Sequence, residues 1–463
     1  MTKHLTALLL VLTLSLCGTA ALSESSAPAK KAEALPTIKY EKYKLKNGLE
    51  VILSEDHRLP LVAVDLWYHV GPSNEREGRT GFAHLFEHMM FEGSKHIGSK
   101  AHFRYLEGAG ATGINGTTNF DRTNYFETVP SNQLDLALWL ESDRMGYLLD
   151  TLDGEKLANQ RDVVRNERRQ SIENRPYGVE ELTLPRLLWP ESHPYHHPVI
   201  GSHEDLEAAS VPDVKDFFAT WYDPSNASLV VAGDFDPAQA TAMIEQKFSS
   251  TPTRAKPVDP GAPGFSDEKT TLTSVVRETV PDNVELTKIT MAWQSPRHFG
   301  PGDAELDLLA GVLAQGKASR LYKSLVYDQK IAQEVSARQE SRFLGSDFVI
   351  DALVRPGVDP AKVEKAIFAE LARVRDKEVS AEELDRARAT YEMAFVDRLQ
   401  GIAERASILN DYQAETGDPG YVQKDLDRYR HATTKDVLGY AKKVLDPNAM
   451  VILTIVPKKE AKR

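Results

Sequence analysis

Apolar and polar positions divide the chain into segments of two kinds. Residues 49–54 and 62–70 carry apolar side chains in alternating or continuous runs and predict strands. A turn then leads into a helix around residues 82–91, followed by a helix at 99–108 and a strand at 113–128. Helical spacing returns at 132–149 and at 154–174. The later part of the chain repeats the scheme, with strands near 284–294 and 348–354 and helices near 304–312, 319–327, 360–374 and 381–400. Strands come in pairs and helices in groups, which predicts an α+β fold rather than a regular βαβ winding.

The repetition extends to individual residues. Asp213-Val214 followed by Trp221-Tyr222-Asp223-Pro224-Ser225-Asn226-Ala227-Ser228-Leu229-Val230-Val231 recurs 223 residues further on. There it reads Asp436-Val437, then Val444-Leu445-Asp446-Pro447-Asn448-Ala449-Met450-Val451-Ile452-Leu453. Each copy predicts an amphipathic helix, an Asp-Pro turn and a strand. A Pro/Gly-rich stretch from Thr251 to Gly264 separates the copies. The expected architecture is two homologous layered domains, each a mainly antiparallel sheet packed with helices, at 38–250 and 266–458 with a linker at 251–265.

The beginning of the chain predicts export. Lys3 and His4 precede an apolar run from Leu5 to Leu16, and small residues follow at Gly18-Thr19-Ala20-Ala21. Such a run is too short to cross a bilayer and reads as a signal peptide over residues 1–21, with cleavage after Ala20 or Ala21. A lipoprotein reading through Cys17 is weaker, because bulky Leu16 stands where a small residue is expected. Cys17 is the only cysteine, so the exported chain is stabilised by its core without disulfides. Residues 22–37 have the composition of a flexible spacer. No later segment is an apolar span of transmembrane length, and the periplasm is the expected compartment. The net charge of −12 argues against nucleic acid or an anionic membrane surface as the partner.

Candidate chemistry concentrates in the helix at 82–91. His84, Glu87 and His88 project from one face of it, given about 100° of rotation per residue. Two His one turn apart can hold a single Zn²⁺, and a non-ligating Glu between them can serve as general base. The order H-x-x-E-H is the inverse of the H-E-x-x-H metallopeptidase helix. Leu85, Phe86, Met89, Met90 and Phe91 supply an apolar surround, and Gly81 allows a close turn at the helix start. Two His leave such a site one protein ligand short. Glu167 is a candidate, but helical periodicity alone does not select it over Glu155, Glu173 or Glu180. The run Ser192-His193-Pro194-Tyr195-His196-His197-Pro198 also holds three His, yet its prolines and adjacent side chains predict a surface loop rather than a metal site.

The stretch Gly81-Phe82-Ala83-His84-Leu85-Phe86-Glu87-His88-Met89-Met90-Phe91-Glu92-Gly93-Ser94 resembles the catalytic motif of the pitrilysin/insulysin/mitochondrial processing peptidase family. Val163-Val164-Arg165-Asn166-Glu167-Arg168-Arg169 resembles that family's downstream Glu segment, and Asn115-Gly116-Thr117-Thr118-Asn119-Phe120-Asp121-Arg122-Thr123-Asn124-Tyr125 its substrate-facing edge strand. The resemblance covers about residues 38 to 458 and is nearest to the short two-domain bacterial type. It implies a zinc endopeptidase acting on unstructured peptides, with one Zn²⁺ per chain held by His84, His88 and Glu167, Glu87 as general base and Asn115 against the substrate. The family often carries a second Glu seven residues before the ligand Glu; here that position is Gln160, which can orient a ligand or water but supplies no charge.

The resemblance also implies an incomplete site. Family members that act alone, or that supply the complementary half-site, carry an Arg and a Tyr seven residues apart in the second half. Those positions fall here at Val326 and Gln333, while Arg320 and Tyr322 lie nearby with the wrong spacing. The expected partners are therefore peptide substrates and either a family subunit bearing the Arg/Tyr pair or a second copy in a homodimer. A non-catalytic assembly or peptide-binding protein on the same scaffold is the alternative, and the intact His84, Glu87 and His88 argue against it.

Overall fold

The computed structural model describes residues 37–253 and 272–458, and the strands among them form two sheets. The expected signal peptide, nearly all of the spacer and most of the linker lie outside the described residues. The first sheet holds β1 (Glu41–Lys44), β2 (Glu50–Glu55), β3 (Leu61–Tyr68), β4 (Thr112–Thr118), β5 (Thr123–Pro130) and β6 (Ala227–Gly233), in the order β1-β2-β6-β3-β5-β4. The second holds β7 (Val275–Asp282), β8 (Lys288–Ser295), β9 (Ala332–Glu340), β10 (Ser346–Val354) and β11 (Met450–Pro457), in the order β7-β11-β8-β10-β9. Each sheet has one parallel pair, β2 with β6 and β7 with β11, and is otherwise antiparallel. Apart from β1, the two sheets have the same topology.

The sequence repeat has a direct structural counterpart. Helices Val211–Trp221 and Thr434–Val444 begin with matching capping boxes, Ser210 with Asp213 and Thr433 with Asp436. Both then turn at an Asp-Pro, where Asp223 accepts from the Ser225 N–H and Asp446 from the Asn448 N–H, each at 2.9 Å. The strands that follow, β6 and β11, occupy equivalent places in the two sheets.

The halves exchange cover. Helix Ile402–Thr416, from the second half, packs Ala406 and Leu409 onto Ile52, Ala63, Val230 and Ala232 of the first sheet. Helix Val179–Leu188 and the loop after it, from the first half, pack Leu184, Leu188, Trp189 and Tyr195 onto Ala292, Val349 and Val451 of the second. Central strands are therefore covered on both faces, which accounts for the continuous apolar runs of β3 and β6. Both halves accordingly belong to one compact unit that begins at Thr37. Asn410, fully buried, fixes the helix on the first sheet by donating to the Asp65 carbonyl at 2.9 Å and accepting from Ser228 Oγ at 2.8 Å. An Asn410→Ala variant should lose about 2 kcal/mol in urea unfolding, because it removes two buried hydrogen bonds.

Several elements depart from the sequence reading. The strand expected over 113–128 is the β4–β5 hairpin, broken where Asn119 Oδ1 accepts from the backbone N–H of Asp121 and Arg122. The helix expected over 154–174 is α-helical only from Gly154 to Glu167 and continues as π-helical turns over Arg168–Glu173. The segment near 319–327 is likewise π-helical over Tyr322–Asp328. Strands β1, β7 and β9 escaped the pattern because they are polar and partly exposed along their length. The loop at 192–198 is not a surface loop throughout: His193 and Tyr195 are buried, and His193 stacks on Trp189 at 4.1 Å.

Candidate metal centre

The motif helix, Phe82–Met89, starts where two glycine backbones cross. Gly81 has φ 85°, and a Cβ there would lie 2.6 Å from the Ile200 carbonyl oxygen. Gly201 mirrors it: its Cβ would lie 2.4 Å from the Thr80 carbonyl oxygen. Glycine offers no capping side chain, so Glu75 takes that role from outside the helix. Its two carboxylate oxygens accept from the Gly81 N–H at 2.9 Å and the Ala83 N–H at 2.8 Å. Burial pushes the Glu75 carboxyl up to about 8, against those same backbone bonds. Phe82, Leu85, Phe86 and Met89 anchor the buried face of the helix in the first core.

His84 and His88 turn their rings edge-on to one another, with centroids 4.9 Å apart. Glu167 Oε2 lies 3.7 Å from His84 Nε2 and 3.1 Å from His88 Nε2. Burial, reinforced by His88, pushes His84 down to about 4 and so keeps a neutral imidazole. The hydrogen bond from His88 holds the Glu167 carboxyl below its ordinary range. Two imidazoles and an ionised carboxylate, converging through two Nε2 atoms and one Oε2, make a donor set that fits zinc. Glu167 closes its helix at the change from α- to π-helical winding, a local irregularity frequent at functional sites. There Ser171 Oγ donates to the Glu167 carbonyl at 2.7 Å.

Glu87 stands beside these three side chains and does not join their convergence. Thr118 Oγ1 donates to its Oε2 at 2.7 Å, and burial raises its carboxyl above the ordinary range. Gly116 of β4 passes so close that a Cβ there would lie 3.0 Å from Glu87 Cγ and 3.2 Å from the Phe91 ring. Asn115, its neighbour on this edge strand, lines the same cleft as His84, Glu87, His88 and Glu167. Gln160 is buried and donates to Glu92 Oε1 at 2.5 Å, next to a side cavity that also touches Glu87, His88 and Asn115.

The cleft measures about 700 Å³. Its far wall comes from the second half, where Arg338, Glu340, Arg342 and Asp347 line it. Sequence reasoning missed these four, although the polar residues at 338 and 340 recur with the two-residue period of one strand face. Val326 and Gln333 are elsewhere: Val326 packs on the second core and Gln333 is exposed on β9. Arg320 forms a two-pronged ion pair with Glu383 at 2.7 Å on each arm. Among the described residues, the remaining groupings with metal-ligating potential are His102–Glu127–Glu141 and His298–Asp411–Glu415, and the histidines at 193–197 belong to neither. No described helix is long and apolar enough to cross a membrane.

Residues 50–188 match the family described as insulinase (peptidase family M16), and residues 208–391 match the peptidase M16 inactive domain. The zinc protease PqqE of Helicobacter pylori is 28% identical over 393 residues, which cover 82% of this chain and 85% of that protein. The crystal structure of a protease from Helicobacter pylori superposes with a TM-score of 0.82 at 25% identity, covering 91% of this chain and all of the other. The periplasmic protease PqqL from Escherichia coli shares the fold with a TM-score of 0.75 at 20% identity, over 92% of this chain but 48% of its own.

Proposed function

We propose that this chain, which belongs to peptidase family M16, is an exported zinc-dependent endopeptidase of the H-x-x-E-H type that cleaves extended segments of unstructured peptides. The convergence of His84 Nε2, His88 Nε2 and Glu167 Oε2, with Glu87 alongside, carries this reading. His84, His88 and Glu167 would hold one Zn²⁺ per chain. Zinc, when bound, supplies Lewis-acid polarisation of the scissile carbonyl and lowers the pKa of water towards ~7.

The chain's own residues account for the remaining steps. Strand β4 is an edge, so an extended peptide can add to it by backbone hydrogen bonds, with Asn115 beside the reacting segment. A folded domain cannot offer such a strand, which restricts substrates to unstructured segments. Thr118 fixes Glu87 Oε2, leaving Oε1 to take the proton from the attacking water and pass it to the leaving amine. Gln160, through Glu92, holds the side of the site behind His88.

The Arg/Tyr positions hold Val326 and Gln333, so the complementary half of the site comes from a family subunit bearing the pair; a homodimer of this chain that needs no such pair is the alternative. Two separate sheets, one built from each half, support a division into domains at 38–250 and 266–458. The periplasm is the compartment that suits both the amino-terminal sequence and the periplasmic relative.

The test is hydrolysis of a mixed pool of unstructured peptides by the native protein, with any subunit that copurifies with it, before and after chelation. Turnover should disappear with metal removal and return with added Zn²⁺. Turnover that persists in metal-free protein would overturn the reading. Full activity from a native preparation containing a single type of polypeptide would exclude the heterodimer and leave the homodimer.

A further inference from the structure

A second convergence of ligand atoms lies at the seam between the halves. Asp411 and Glu415 are one turn apart on helix Ile402–Thr416, so their carboxylates share a face. His298, in the loop after β8, approaches that face with Nδ1 2.9 Å from Glu415 Oε1. One ligand atom from each of the three lies within 4.8 Å of the others. All three line a cavity of about 270 Å³ whose opposite wall includes Trp67 and Arg122 of the first half.

The frame around this cluster is rigid. Asn410, next to Asp411, is bonded to both Asp65 and Ser228 of the first sheet. The His298 N–H donates to the Arg342 carbonyl at 2.9 Å, and its ring stacks on Phe299 at 3.7 Å. Arg122 is already engaged, donating to the Thr117 carbonyl at 2.9 Å and to Asn124 Oδ1 at 2.8 Å and lying over the Trp67 ring. Asp411 accepts no hydrogen bond among the described residues and faces the cavity. Two carboxylates are thus held together beside the His298 ring in a partly closed space, with the Arg122 and Arg398 charges acting on Asp411 from nearby.

We propose that His298, Asp411 and Glu415 form a second divalent-cation site, independent of the His84–His88–Glu167 centre. One imidazole nitrogen with two carboxylates suits Zn²⁺ or Mn²⁺ better than Ca²⁺ or Mg²⁺, which favour all-oxygen ligands. A divalent ion bound there would take the place of a proton on the His298 ring. Bound there, it would tie the loop after β8 to the helix that covers the first sheet.

Metal-free full-length mature protein titrated calorimetrically with Zn²⁺ should bind about two equivalents per chain. A His84→Ala/His88→Ala variant should keep about one, and adding Asp411→Asn to it should abolish that one. Asp411→Asn alone keeps the side-chain shape and relieves like-charge repulsion, so it should melt cooperatively, retain peptidase activity and lose only the second equivalent. Mn²⁺ binding followed by electron paramagnetic resonance in the His84→Ala/His88→Ala background, with and without His298→Gln, gives a second readout. Absence of ion binding in that background, or binding unaffected by Asp411→Asn and His298→Gln, would overturn the proposal. Binding in wild type that is insensitive to His84→Ala but lost with Asp411→Asn would support this site while refuting the peptidase centre.

Discussion

Glu87→Gln should lower kcat for peptide hydrolysis by about 10²–10⁴-fold, the usual contribution of a general base, while zinc content and KM stay near wild type. The substitution changes little except proton affinity. Thr118 Oγ1 holds one oxygen of Glu87 at 2.7 Å, and an amide fits the same space beside Gly116. It cannot take a proton from water. His84, His88 and Glu167 make no use of Glu87 for their convergence, so the metal donors should remain in place. Steady-state kinetics beside metal analysis of the same preparation decides the matter. Unchanged kcat would remove Glu87 as the base, and loss of zinc together with activity would instead make it part of the ligand set.

How much of this was legible beforehand depended on the separation of the residues involved. His84, Glu87 and His88 share one turn of one helix, so spacing alone brought them to a common face. Glu167 comes from a different helix and meets them only through tertiary packing. Periodicity could not rank it above Glu155, Glu173 or Glu180, and the resemblance to a known family was needed. The helix around Glu167 was legible, but its change to π-helical winding after that residue was not, because no residue-type signal marks it. The far wall was hidden for another reason. Strand β9 carries Ala332, Val335 and a string of charged or polar residues, too mixed to read as a strand, yet it brings Arg338 and Glu340 to the cleft. The exchange of covering helices was equally unreadable, since an apolar helix face does not state which sheet it meets. What it left in the sequence was the unbroken apolar character of β3 and β6, a sign of strands covered on both sides.

The glycine at the start of the motif helix offers the sharpest test of how local backbone supports the site. Gly81→Ala should destabilise the fold by about 3 kcal/mol, measurable by urea unfolding, and should weaken zinc binding in parallel. Two costs add. An alanine at φ 85° sits in the left-handed region, worth about 1–2 kcal/mol against a non-glycine residue. Its Cβ would also come within 2.6 Å of the Ile200 carbonyl oxygen, and the neighbour is backbone, which cannot rotate aside. Gly201 closes the other side, because the same Cβ would lie 2.9 Å from the Gly201 Cα, which is again backbone. Relief must therefore come from displacing the helix start, where the Gly81 and Ala83 N–H groups bond to Glu75. His84 lies one residue beyond that cap, so a shift there reaches its imidazole directly. A variant that unfolds like wild type and binds zinc equally well would show that the crossing at Gly81 and Gly201 yields without moving the helix. Comparable losses in stability and in zinc affinity would identify it as the rigid seat on which His84 and His88 are carried.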